Sequence, residues 1–225
     1  MVPFLRSSPF LLCLFAAVGC STANHVADFA QNDLFYVDVP FVTKAPGDRP
    51  VFVAPVVDAR AATTLPASER GFPITYSGDD FWERPVPDMV GDVLTRQLVS
   101  SQLFTTVDDH ASPDGLVLQP QLVTFLGGAT EAISGSRTFA EIGLRVQVYG
   151  PAGAGGKRPL LHEQVYGNRQ VSQLELNPVS PYRLVGRSLQ LTMSKLLSGL
   201  DGSNVARSNM PVEVTVPAEA SAKAR

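Results

Sequence analysis

The chain has 225 residues, of which 44% are hydrophobic and 17% are charged, and its formal net charge is −3 at pH 7. This length is enough for one well-buried core of ~150 residues with additional terminal segments. The charges form no block of one sign, so the sequence carries neither the basic footprint of a nucleic-acid-binding protein nor a patch for anionic lipid. We therefore expect a globular domain that binds no nucleic acid.

The first residues have the pattern of a secretion signal. The free amine and Arg6 give a short positive region, which the apolar run PFLLCLFAAV follows. This run is too short to cross a bilayer core, which needs about 20 residues, and no later stretch approaches that length. We predict a signal peptide over residues 1–19 and a folded part outside the cytoplasm.

Residues 17–20, with the sequence AVGC, resemble the lipobox of bacterial lipoproteins, although Ala17 stands where leucine is usual. The resemblance implies that Cys20 becomes the mature N-terminus and carries lipid (palmitate among the acyl groups), and that Ser21 directs the protein to the outer membrane, facing the periplasm. The competing interpretation is ordinary signal cleavage after small residues. The cysteine count favours lipidation, because Cys13 lies in the removed segment and Cys20 would otherwise be a lone thiol in an oxidising compartment.

Residues 20–49 show little periodicity and contain Pro40 and Pro46, so we predict a lipidated N-terminus and a tether. Within it, LFYVDVPFV is open to an alternative interpretation as an edge strand. The domain is predicted over residues 50–200. It begins with the apolar run VFVAPVV, which is typical of a strand covered on both faces.

Helical spacing follows a long polar connection. Val86, Val90, Leu94 and Leu98 recur every four residues, which predicts an amphipathic helix. Further strands are predicted at residues 103–107, 115–126, 138–150 and 159–171.

The strand at 138–150 has the clearest alternation, because Ile142, Leu144 and Val146 share one face and polar residues the other. A second helix is predicted from Pro181 to Leu200, and residues 201–225 are predicted to be a disordered tail. The element order is β-α-β-β-β-β-α. It predicts an α+β fold in which a single mixed or antiparallel sheet carries two helices packed on one face.

No residue pattern predicts catalysis, a metal site or a cofactor. In GPAGAGGKR, Pro151 stands where a phosphate-binding loop needs its first glycine, and a strand follows instead of a helix. His162 and Glu163 are neighbours on a predicted strand, so their side chains point to opposite faces and cannot meet at one metal ion. The group Asp108 to His110 lies beside a turn and is expected to be a solvated loop.

The stretch DDFWERPVPDMV contains the only tryptophan of the chain. In one interpretation Phe81 and Trp82 form a hydrophobic staple on the core, with Glu83 and Arg84 facing water. In the other, Trp82 anchors a partner protein, because such rings are enriched at contact hot spots. We retain Phe81, Trp82 and Arg84 as candidate partner-binding residues.

A family resemblance rests on the following residues, in chain order: Val51 to Val57, Trp82-Glu83-Arg84-Pro85, Leu94, Leu98 and Phe104. With the preceding lipobox and tether, this arrangement resembles the auxiliary lipoprotein components of ABC-type transport systems, and it is also similar to envelope lipoproteins of the YajG type. The resemblance covers about residues 50–200. The long insertion between Arg60 and Asp79 departs from the transport family.

The resemblance implies a mixed α/β domain that docks on other envelope proteins, ABC transporter components among them, and has no catalytic role. We therefore expect an adaptor or auxiliary subunit that is held to the membrane through Cys20. The alternative is a carrier that holds a lipid or a small apolar ligand between helices and sheet. An enzyme would require polar groups that converge in a pocket, which residue spacing does not reveal.

Overall fold

The computed structural model describes residues 28–31, 35–60, 82–132, 135–153, 155–172 and 180–208. Its helices and strands, in chain order, are β1 (Val51–Val53), β2 (Val57–Asp58), α1 (Val86–Ser101), β3 (Val107–Asp108), β4 (Leu116–Ala132), β5 (Gly135–Tyr149), β6 (Leu160–Val171) and α2 (Pro181–Gly202). Among these described residues, no helix is both long and apolar enough to span a membrane.

The strands form one mixed sheet in the order β3-β1-β4-β5-β6, and β2 pairs with β4 beyond the end of β1. The contacts of β1 with β3 and β4 are parallel, and so is the contact of β2 with β4. The strands β4, β5 and β6 follow one another as antiparallel neighbours. The predicted α+β architecture is confirmed.

Both helices lie on one face of this sheet. The side chains of Ile142, Leu144 and Val146 on β5 are fully buried, whereas Arg145 on the opposite face is exposed. The apolar stripes of α1 and α2 belong to the same core cluster as these β5 residues. One face of the sheet is therefore packed against helices. The other face, here named the open face, carries Arg145 and other partly exposed side chains, although Phe139 on it is buried.

The predicted strand VFVAPVV is divided into β1 and β2. Pro55 lies between them and has no N–H to donate to a neighbouring strand. Its second half is also not covered on both faces, because Val57 is 45% exposed. On the neighbouring strand, Pro120 lies between the residues that pair with β1 and those that pair with β2, so its missing N–H falls at this gap.

Residues 35–49, here named the strap, cross the outside of the helix layer without forming a strand. Its backbone is bound by helix side chains: Gln190 on α2 donates to the Val37 carbonyl at 2.8 Å, and Gln97 on α1 accepts from the Val39 N–H at 3.1 Å. Tyr36 is buried in the core. These residues therefore pack as part of the domain, although the sequence predicts a tether here.

The strap also shows that α1 and α2 run in the same direction. Near its start, Phe35 contacts Tyr182 in the first turn of α2, with 5.6 Å between ring centroids. Near its end, Gly47 lies so close to the Leu103 carbonyl, just beyond α1, that a Cβ atom would overlap the oxygen. Gly186 on α2 allows the same close approach to the Phe35 carbonyl.

The fold continues beyond the predicted domain end at residue 200. α2 extends to Gly202, and Val205 and Ala206 are buried in the core. Residues 201–208 are thus part of the folded domain and not of the predicted disordered tail. Residues 209–225 lie outside the described part.

Candidate functional site

Two residues selected from the sequence lie outside the described ranges. These are Cys20, the predicted lipid attachment point, and Phe81, a candidate partner-binding residue. Lipidation and a role for Phe81 in partner binding stay predictions. The segment nearest to Cys20 that the structure describes begins at Asp28.

Trp82 lies inside the domain. It is 4% exposed, and its ring packs edge-on against Phe29, Phe125 and Tyr182, with centroid distances of 5.2, 5.7 and 5.3 Å. These partners come from the N-terminal segment, β4 and α2, so one ring joins three parts of the chain to the approach of α1. This packing places Trp82 on the core, as the first interpretation predicts, and leaves little of the ring for a partner protein to contact.

Arg84 forms two ion pairs within the domain. Its Nε donates to Asp28 at 2.8 Å and its Nη2 donates to Asp92 on α1 at 2.7 Å. The hydrogen bonds to Asp28 and Asp92 raise the pKa of Arg84. The Asp28 carboxylate is buried and also accepts from the Ala30 N–H at 2.8 Å. Arg84 therefore holds residues 28–30 onto the start of α1, with its side chain still one-third exposed.

A buried ion pair at the opposite end of the helices has no counterpart in the sequence analysis. The Asp201 and Arg207 side chains are 5% and 8% exposed and are hydrogen-bonded to each other. Thr43 of the strap donates to Asp201 at 2.8 Å, and the Ala45 carbonyl accepts from Arg207 at 2.6 Å. Burial raises the pKa of Asp201, but the hydrogen bonds from Arg207 and Thr43 outweigh it, so the pKa lies below its ordinary value.

The sequence did not predict this ion pair, because Asp201 and Arg207 both fall in the predicted disordered tail. The only signal in the sequence is Val205 and Ala206, two apolar residues next to Arg207 that continue the pattern of α2. The pair joins the strap to the end of α2, and its role in the described contacts is structural.

A second buried polar pair lies between β6 and α2. His162 Nε2 and the Tyr166 hydroxyl are 2.8 Å apart, and both residues are at most 3% exposed. Within the described residues, His162 Nδ1 has no hydrogen-bond partner. Burial lowers the pKa of His162, because the imidazolium form would lose its hydration. Its neighbour Glu163 belongs to the other face of the strand, as predicted.

We expect the stability of the protein to decrease as the pH falls below about 6.5, the pKa of histidine in an unfolded chain. The unfolded state then binds a proton that folded His162, with its lowered pKa, does not bind until a more acidic pH. Urea unfolding at pH 7.5, 6.5 and 5.5 measures this. In the variant His162→Gln the free energy of unfolding should fall less between pH 7.5 and 5.5. In His110→Gln, at an exposed loop position, it should fall as much as in the wild type. Equal pH dependence in all three proteins would contradict the assignment.

The remaining acidic and histidine residues do not converge. Within the described part of the chain, no group of three His, Cys, Asp or Glu side chains could hold a metal ion. The loop GPAGAGGKR joins β5 to β6, and Gly155 and Gly156 have φ angles of +84° and +75° that favour glycine. It is a hairpin connection.

The chain matches no protein-family model and no curated protein. Solved structures with a related arrangement include protein XCC0632 from Xanthomonas campestris, described as a DUF330 protein, with 15% identity and a TM-score of 0.45 over 74% of this chain and 91% of that one. Another is the hypothetical protein CT253 from Chlamydia trachomatis, with 14% identity and a TM-score of 0.44 over 72% of this chain and 99% of that one. Similarity at this level carries no argument about family or function.

Proposed function

We propose that the protein is a lipoprotein of the bacterial cell envelope that serves as an adaptor or auxiliary subunit in transport or assembly and is not an enzyme. Lipid on Cys20 holds it to the outer membrane, with the domain facing the periplasm. The anchor is supported by the apolar run and the residues AVGC, and the adaptor role by the packing of the domain interior.

The filled layer between helices and sheet is the observation that carries the adaptor role. Leu118 and Leu144 on the sheet and Leu189 on α2 face this layer, and each has no accessible surface. A surface of zero means that no water-sized space adjoins these side chains. A carrier would need an apolar cavity here of several hundred cubic ångströms. The closed centre of this layer supports docking by the outer surface over storage of a ligand. The groove of ≈ 480 Å³ between β6 and α2 lies at the sheet edge, and polar residues such as Gln164 and Lys195 line it as well as apolar ones.

Replacing the anchor residue tests the lipoprotein assignment. We expect Cys20→Ala to move the protein from the membrane fraction to the soluble periplasmic fraction, because one acylated residue supplies the stable membrane attachment. Cys13→Ala is the matched control, since it lies in the predicted signal peptide, and it should leave fractionation unchanged. Mass spectrometry of the purified N-terminus should detect fatty acid on Cys20. A mature N-terminus without acyl groups would contradict the assignment, and so would a Cys20→Ala protein that has lost its signal peptide and still stays in the membrane.

Deletion of the gene tests the adaptor role. We expect increased permeability of the envelope, restored by the wild-type protein and not by Cys20→Ala, because an adaptor must be held near its membrane-bound partners. The alternative, a carrier, predicts lipid that co-purifies with the native protein and is detected by mass spectrometry. Unchanged permeability together with bound lipid would favour the carrier.

A further inference from the structure

The strand β6 forms one edge of the sheet. The opposite edge is β3, which has 2 residues, whereas β6 has 12. Among the described residues, no strand pairs with the outer side of β6. A long edge strand offers a row of backbone N–H and C=O groups to another chain, and proteins usually shorten or cover such edges.

Two hydrogen bonds identify the backbone groups that point away from the sheet. Lys195 on α2 donates to the Gly167 carbonyl at 2.7 Å, which agrees with a carbonyl that β5 does not use. The Ser172 N–H donates to Thr138, which continues β5, at 2.8 Å and faces inward. Because direction alternates along an antiparallel strand, odd-numbered residues of β6 beyond its bulge face outward. These are Glu163, Val165, Gly167, Arg169 and Val171.

The same odd-numbered residues direct their side chains to the open face of the sheet. Val165 and Val171 are 53% and 51% exposed, and Leu160 at the start of β6 is also exposed. Most other large apolar side chains on the sheet face the helix layer. Exposed apolar groups along a strand edge mark a surface that association with another chain would bury.

We propose that two copies of this chain pair through β6 in antiparallel orientation, with Glu163 of each copy opposite Arg169 of the other. The two-fold axis of this pairing passes at Tyr166. Val165 then lies opposite Gly167 of the second copy, where the absence of a side chain leaves room for the valine. Each pair of outward-facing residues exchanges two backbone hydrogen bonds, and the contact is self-complementary, as a symmetric dimer requires.

Charge complementarity selects this register. Within one copy, Arg145 lies 4.0 Å from Glu163 and Arg169 lies 3.4 Å from Glu141. The proposed pairing joins these two ion pairs into one row of alternating charge across both sheets. A shift of two residues in either direction would place Gly167 or Val171 opposite Glu163, so the carboxylate would lose its cation across the interface.

The helix side of the edge leaves space for a second copy. A groove of ≈ 480 Å³ separates β6 from α2, and small residues of α2, Ser194, Ser198 and Gly199, line it. Small side chains there allow the α2 helices of two copies to approach each other below the joined sheet. Lys195 competes for the Gly167 carbonyl, but it is an exposed lysine, whose hydrogen bond costs little to release.

Charge reversal provides a test that does not depend on the proposed function. The full protein in detergent is studied by native mass spectrometry and sedimentation over a concentration series. We expect a dimer for the wild-type chain and at least a tenfold weaker dimer for Glu163→Arg and for Arg169→Glu alone, since each variant opposes like charges. Mixing these two variants should give a heterodimer, because both cross-strand pairs are then of opposite sign. Glu83→Arg, at an exposed position before α1, should dimerise as the wild type does.

A backbone variant tests the strand contact independently of charge. Val165→Pro removes an N–H that faces away from β5, so the sheet within one copy keeps its hydrogen bonds, whereas the dimer should be lost. Circular dichroism confirms that this variant is folded. A wild-type protein that is still monomeric at about 100 μM would overturn the proposal, because its dissociation constant would then lie above that concentration. A dimer that persists in Val165→Pro, or variants that fail to form the heterodimer, would overturn it as well.

Discussion

Trp82→Ala should lower the free energy of unfolding by about 3–5 kcal/mol, the range measured when large buried aromatic side chains are truncated. The ring is 4% exposed and contacts Phe29, Phe125 and Tyr182. Its removal would leave a cavity at the point where the N-terminal segment, β4 and α2 meet, and these backbones cannot all move to fill it. Urea unfolding followed by circular dichroism measures the loss.

Two further variants separate packing from partner binding. Trp82→Phe keeps an aromatic ring and should lose less than half as much stability. Val99→Ala removes an exposed apolar side chain of α1 and should change stability by less than about 0.5 kcal/mol, as surface substitutions do. A Trp82→Ala protein with wild-type stability and impaired partner binding would instead show that the ring is a contact residue.

Arg207→Ala should destabilise the protein by about 3–5 kcal/mol, because it leaves a buried carboxylate without its cation. Asp201 is 5% exposed, and the replacement also removes the donor to the Ala45 carbonyl. The effect should be largest at neutral pH and smaller in acid, where Asp201 can take up a proton in the variant. Urea unfolding at pH 7 and pH 4.5 measures both values.

A double variant distinguishes a lost partner from lost packing. Asp201→Asn combined with Arg207→Leu removes both charges, so it should be more stable than Arg207→Ala alone. Lys157→Ala, in the exposed hairpin between β5 and β6, should have no measurable effect. If the double variant were as unstable as the single one, the contribution of Arg207 would come from its packing against the strap and not from its charge.

Periodic patterns in the sequence predicted the elements that pack by repeating contacts. The four-residue spacing from Val86 to Leu98 predicted a helix, which is α1. The alternation from Ile142 to Val148 predicted a strand with one buried face, which is β5. In both cases each turn or each second residue meets the same core, so the pattern is visible without knowledge of the fold. These patterns were enough to predict the order of helices and strands and the packing of both helices on one face of the sheet.

The strap and the last described residues could not be predicted in this way. The strap has no repeating contact, because single side chains such as Gln97 and Gln190 bind its backbone from two different helices. Its apolar residues also differ in burial without a sign of it in the sequence: Tyr36 is fully buried, Phe35 and Phe41 are partly buried, and Val37 and Val42 are exposed. Likewise, Arg207 looks like a solvated tail residue until the fold brings Asp201 and Thr43 beside it.

The contacts of the strap also determine when the chain can complete its fold. Its hydrogen bonds to α2 and to the residues after α2 join positions that are 153 to 164 residues apart. A ribosome makes the strap early and α2 last, so the part of the docking surface that α2 supplies is missing during most of synthesis. Closure of such distant contacts is slow compared with local helix formation. Under the proposed function the chain crosses a membrane before it folds, and late closure of these contacts favours that order of events.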